Sequence, residues 1–150
     1  MKSLFESETH QDIINRIEAL NETTQPKWGK MNVGQMLKHS QLPLEIALSK
    51  EEMKAKAGFF KKLLFKAFKP MMYNDKAWKP NMQTPKEFIV KDSKVFETEK
   101  INLINLVNEF VNKKDNTKWP EHPLFGHFTP EQRGQIQFKH INHHLTQFGV

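Results

Sequence analysis

The chain contains no cysteine. Disulfides, thiolate zinc sites and a cysteine nucleophile are excluded together, so any metal or redox chemistry has to rest on histidine or on a bound group. The 37% of hydrophobic residues nowhere form an apolar run of about 18, the length that a membrane-crossing helix needs. A soluble chain without a membrane span is expected. The opening MKSLFESETHQD has one lysine, early acids and no sustained apolar stretch. A secretory signal has a different layout, so the expected location is cytoplasmic. The G-x-G-x-x-G, Walker, G-x-S-x-G and paired-carboxylate signatures are also missing, which leaves nucleotide, serine-hydrolase and glycosidase readings without support. No useful length of strand-like alternation occurs, and no internal repeat.

What is present is a chain of 150 residues with a net charge of +6, a length that suits one domain with its own core, 1–150. The excess charge is local: residues 50–79 hold nine lysines against three acids, and the remainder is balanced. A nucleic-acid binder more often spreads its basic residues along a reading face with interleaved aromatics, so no nucleic-acid partner is favoured. The pattern is a basic insert on a neutral body.

The periodicity predicts four long helices. Ile13, Ile14, Ile17 and Leu20 recur at helical steps and place helix one at about Thr9 to Leu20. Asn32 with Gln35 three residues on forms a capping box for helix two, Val33 to Leu48, with Pro43 as a site of bending. Trp28 and Gly29 just before it suggest an anchored turn, with Trp28 as a pocket wall the alternative. A short basic amphipathic helix is expected over Gly58 to Phe68, as a lid in preference to a membrane-surface element. An irregular crossover follows from Lys69 to Pro85, where Met71, Met72 and Tyr73 could line a substrate entrance. Helix three, about Lys94 to Val111, draws its apolar face from Val95, Phe96, Ile101, Leu103, Ile104, Leu106, Val107, Phe110 and Val111. Thr129, Pro130 and Gln132 supply the cap, first turn and box of helix four, which runs to about Phe148. The architecture expected is all-α, a four-helix bundle with a long crossover between helices two and three.

Of seven histidines, five lie at or beyond His122. His140 and His144 are four residues apart, so on a helix they stand about 5 to 6 Å from each other on one face and can share an ion. The stripe of Phe138, Ile141, Leu145 and Phe148 orients that helix: at about 100° per residue His144 lies about 80° and His140 about 120° from its centre, and His143 about 180°. His143 is therefore expected to point away from the core. A third ligand has to come from elsewhere, and apart from His10 only His39 lies on another long helix, at a seam about 120° from the centre of its apolar stripe. His10, His122, His127 and His143 are otherwise read as surface or capping residues. Three histidines leaving a coordination position open make the catalytic pattern of site.

The motifs PKWGKMNVGQMLKHS (Pro26–Ser40), HPLFGHFTPEQ (His122–Gln132) and KHINHHLTQFGV (Lys139–Val150), together with the helix layout, resemble the DinB-like superfamily. The resemblance implies a four-helix bundle with a long crossover. It also implies a metal, zinc or nickel, held by His39 late in the second helix and by the H-x-x-x-H pair His140 and His144 on the fourth. Relatives of this kind include transferases and isomerases that use a low-molecular-weight thiol, and they are often homodimers. The chain is thus expected to be a metal-dependent enzyme acting on a small molecule, a thiol-dependent S-transferase or a hydrolase. The rival is a non-catalytic helical bundle that binds a small molecule, a metal or a partner protein. Gln35, Arg133 and Gln137, each one turn from a ligand, are the candidates to support the ligand shell.

Overall fold

The computed structural model describes residues 1–52, 65–116 and 118–150. Among these residues the structure is helical, with no strand and one isolated bridge between His122 and Gly126. The long helices are α1 (Ser7–Ala19), α2 (Val33–Ala47), α3 (Phe96–Asn112) and α4 (Pro130–Gln147). Short 3-10 turns occur at Lys69–Met72 and Lys86–Phe88. No helix among the described residues is long and apolar enough to cross a membrane. Most of the basic helix expected over Gly58 to Phe68 lies outside the described residues; residues 65–68 are helical.

Local chemistry sets two of the helix starts. Asn32 accepts from the Gln35 amide at 2.8 Å while Gln35 accepts from the Asn32 amide at 3.0 Å. Thr129 and Gln132 repeat the exchange at 3.2 and 3.1 Å, with Pro130 in the first turn. Both reciprocal pairs satisfy amides that a helix start leaves orphaned.

The four helices share one core, to which Ile13 and Ile17 of α1, Met36, Leu37 and Leu44 of α2, Leu103, Val107 and Phe110 of α3, and Ile141 and Leu145 of α4 contribute fully buried side chains. Burial of this apolar surface is the main source of stability. The closest approach of α2 to the start of α3 depends on Gly34, where a Cβ would meet the Lys94 carbonyl oxygen at 2.7 Å. The apolar face expected for α3 is narrower than its composition suggests. Val95 and Ile101 are 70% and 56% exposed, because Val95 is the capping position before the first turn and Ile101 falls on the polar side of the helix, between Asn108 and Asn112.

Lys139 ties the crossover to α4. Its ammonium donates to the carbonyls of Met71 (2.7 Å) and Asn74 (2.9 Å) and to Asn74 Oδ1 (2.7 Å). These bonds hold the Met71–Trp78 stretch against the helix that carries His140 and His144, with the Trp78 indole donating to the Met71 carbonyl at 3.2 Å.

Candidate metal centre

His39 projects from α2 and His140 and His144 from α4, all three buried. Their ligand nitrogens lie within 4.8 Å of one another, an arrangement able to hold a metal ion. The ring orientations follow from the second nitrogen of each imidazole. His39 Nδ1–H donates to the Phe88 carbonyl at 2.8 Å, and His144 Nδ1–H donates to Gln147 Oε1 at 2.8 Å. Each bond fixes the tautomer that leaves the Nε2 lone pair available. Gln147 is itself held, its amide donating to the Trp28 carbonyl at 2.7 Å. Gly29 permits that approach: its φ of +87° suits glycine, and a Cβ there would meet Gln147 Nε2 at 2.5 Å.

His140 Nε2 lies 3.2 Å from His39 Nε2. Two nitrogens bound tetrahedrally at about 2.0–2.1 Å to one ion stand about 3.3 Å apart, so this pair already has a ligand spacing. His140 Nδ1 is buried without a hydrogen-bond partner among the described residues. Burial, with the neighbouring imidazoles adding to it, pushes His140 well below the ordinary histidine range and His144 down to about 3. His39 is lowered by burial, partly offset by its bond to Phe88. All three are therefore neutral at ordinary pH, the form that coordinates a metal.

The remaining histidines fall elsewhere. His10 bridges α1 to α3 through Asn108 Oδ1 at 2.8 Å, and His127 is exposed. His122 caps a turn, its Nδ1 accepting from the amides of Leu124 and Phe125 at 3.2 and 3.3 Å. It is half-buried, and that burial, with the charges of Arg133 and Lys69, lowers it to about 4. His143 also departs from expectation. It is not directed into open solvent but is half-buried, its ring 5.9 Å from Trp28 and 5.8 Å from Trp78. Those tryptophans come from irregular segments, which helical periodicity does not register, and His143 borders the same cavity as His140 and His144.

The candidates for supporting the ligands are also placed differently from expectation. Gln35 is committed to its capping box and to the Lys91 carbonyl. Arg133 donates to the Phe128 and Pro120 carbonyls, and Gln137 to the Pro43 carbonyl. None of these bonds goes to His39, His140 or His144. Phe88 and Gln147 hold the rings instead. Gln147 was findable, because it lies three residues beyond His144 on the same helical face. The Phe88 carbonyl had no signal, being a backbone atom of a non-periodic segment.

The three histidines border a cavity of about 390 Å³ whose wall includes Met71, Met72, Trp78, Phe88, Phe125 and Phe128. Met71 and Met72 line this space, while Tyr73 packs edge-on against Phe128 with centroids 6.1 Å apart. Trp28 serves as a turn anchor and does not belong to this wall.

Comparison with curated proteins gives no match, and comparison with solved structures gives none. Residues 2–149 match the model of a family described as "Protein of unknown function (DUF1569)", and the chain belongs to that family.

Proposed function

We propose that the chain is a DinB-like four-helix-bundle domain that binds a divalent metal ion, zinc or nickel, on His39, His140 and His144 and uses it as an enzyme acting on a small molecule. The observation that carries this reading is the set of three buried, neutral imidazoles whose nitrogens converge within 4.8 Å. Two of them are oriented through Nδ1 by Phe88 and Gln147. Without an ion the His140 and His39 Nε2 atoms share one hydrogen bond and His140 Nδ1 stays unpartnered among the described residues, so an ion taking up the converging lone pairs would offset part of the desolvation of the three rings.

A bound ion supplies Lewis acidity, lowering the pKa of a low-molecular-weight thiol or a water toward neutrality. The chain's own residues do the rest. Phe88 and Gln147 keep the rings aimed, Trp78 covers His140 at a centroid distance of 6.0 Å, and the aromatic and methionine wall excludes bulk water and receives an apolar substrate. With no cysteine in the chain, a thiol nucleophile would arrive as cosubstrate. Thiol transfer is the first reading and hydrolysis the second.

The apolar wall favours a second function, a binding protein for a small apolar molecule without catalysis. The two are separated by assaying zinc- and nickel-loaded protein, made without a histidine tag, for thiol transfer to a chromogenic electrophile and for ester hydrolysis. Metal-dependent turnover that disappears in His39→Ala supports the enzyme. Absence of turnover with either metal, together with apolar-probe binding unaffected by chelation, supports the binding protein.

A further inference from the structure

Arg133 is 5% exposed, yet it forms no ion pair among the described residues and it borders the same cavity as the histidines. Its Nε and Nη2 donate to the Phe128 and Pro120 carbonyls at 3.2 and 2.6 Å. Those two bonds use neutral acceptors and one edge of the guanidinium. Nη1 makes no hydrogen bond among the described residues, and the outer Nη1–Nη2 edge keeps its N–H donors. A buried arginine is ordinarily matched by a carboxylate or phosphate, because an uncompensated buried charge is costly. Glu121 acts on Arg133 only from a distance and is itself exposed. The Lys69 ammonium, 4.5 Å from the centroid of the Phe128 ring, adds a second positive charge beside this end of the cavity, and exposed Glu121 is the one acid among the lining residues.

The chain geometry relates this charge to the histidines. Arg133, Gln137, His140 and His144 follow one another at steps of four, three and four residues along α4, and all four border the cavity. Seven residues of helix separate Arg133 from His140, a distance of about 10 Å along the axis. Between them the wall is mainly aromatic and aliphatic, with Gln137 the polar exception on α4.

We propose that this cavity takes an apolar molecule bearing one carboxylate, seated on the free edge of Arg133, with its reacting end about 10 Å away at the three histidines. A planar carboxylate matches the fork of the outer guanidinium edge, and the apolar remainder matches the wall. The position of the reacting end rests on the metal-site reading; the carboxylate seat does not.

The test is isothermal titration of the full chain, freed of metal with EDTA, using decanoate and decanol as probes. Decanoate should bind about tenfold or more tightly than decanol, the usual worth of a charge-assisted hydrogen bond. Arg133→Gln should remove that preference while leaving decanol binding unchanged, and Arg133→Lys should retain part of it. Should Arg133→Gln fail to fold, the decanoate-to-decanol ratio of the wild-type chain and its retention in Arg133→Lys decide alone. Equal affinities, binding of neither probe, or an undiminished preference in Arg133→Gln would each overturn the seat. Decanoate binding that needs added zinc and survives Arg133→Gln would place the carboxylate on the metal, supporting the metal site and refuting this inference.

Discussion

Lowering the pH of metal-free protein from 7.5 to 5.0 should strip stability through histidines that the fold keeps neutral. In the unfolded chain each histidine takes up its proton near 6.5. In the fold His144 is held to about 3 and His122 to about 4, chiefly by burial. Between those values the unfolded state binds more protons than the native state, so stability is complete above 6.5 and declines as the pH falls toward the native values. Each pH unit is worth about 1.4 kcal/mol per histidine, so 6.5 to 5.0 removes about 2 kcal/mol at each and about 4 kcal/mol from the pair. His39 and His140 shift in the same direction and add to the loss. Carboxylates contribute little in this window because their unfolded pKa values lie near 4. A loss of that size is a large fraction of the 5 to 15 kcal/mol typical of a domain, and in urea it moves the midpoint by about 2 M. The assay is urea unfolding followed by helical circular dichroism at both pH values in the presence of EDTA. Coincident midpoints would refute the claim that these imidazoles are neutral and desolvated.

Three substitutions probe the structure around the site. Gln147→Leu leaves His144 Nδ1–H without its acceptor and should weaken zinc binding about 10- to 100-fold, whereas Gln35→Leu should cost about 1 kcal/mol of capping energy and leave zinc affinity unchanged; zinc titrations of the two variants check the contrast. Gly34→Ala pushes a methyl group to 2.7 Å from the Lys94 carbonyl and should cost about 1 to 3 kcal/mol by overpacking, lowering the melting temperature by roughly 3 to 10 °C. A melting temperature unchanged to within about 1 °C would mean that α2 and the start of α3 separate freely.

What could be read from the sequence depended on how local the determining chemistry is. The starts of α2 and α4 were legible because their capping boxes lie within four residues, and the His140–His144 pair because i,i+4 spacing is itself a geometry. His39 was reached through its seam position and the motif resemblance, and the fold brings it to the other two. The inward face of α3 was not fully legible, since an apolar residue can stand at a helix end or within the polar side, as the exposed Val95 and Ile101 do. The covering of His143 by Trp28 and Trp78 and the bond from His39 to the Phe88 carbonyl come from irregular segments without a period. Free histidine would suggest a metal affinity failing through pH 6 to 7. Burial moves the loss to lower pH, because the imidazoles resist protonation.

Zinc titration of metal-free, tag-free protein by calorimetry, with His39→Ala, His144→Ala and His143→Ala measured alongside, tests the central claim most directly. The account predicts one equivalent of zinc bound by the wild-type chain and by His143→Ala with affinities within a few-fold, since His143 lies outside the converging set. His39→Ala and His144→Ala should lose most of the affinity while keeping their helical content, because the core of α1 to α4 does not depend on an ion. A full equivalent retained tightly by either variant, or lost in His143→Ala alone, would contradict the assignment of His39, His140 and His144 as the metal ligands.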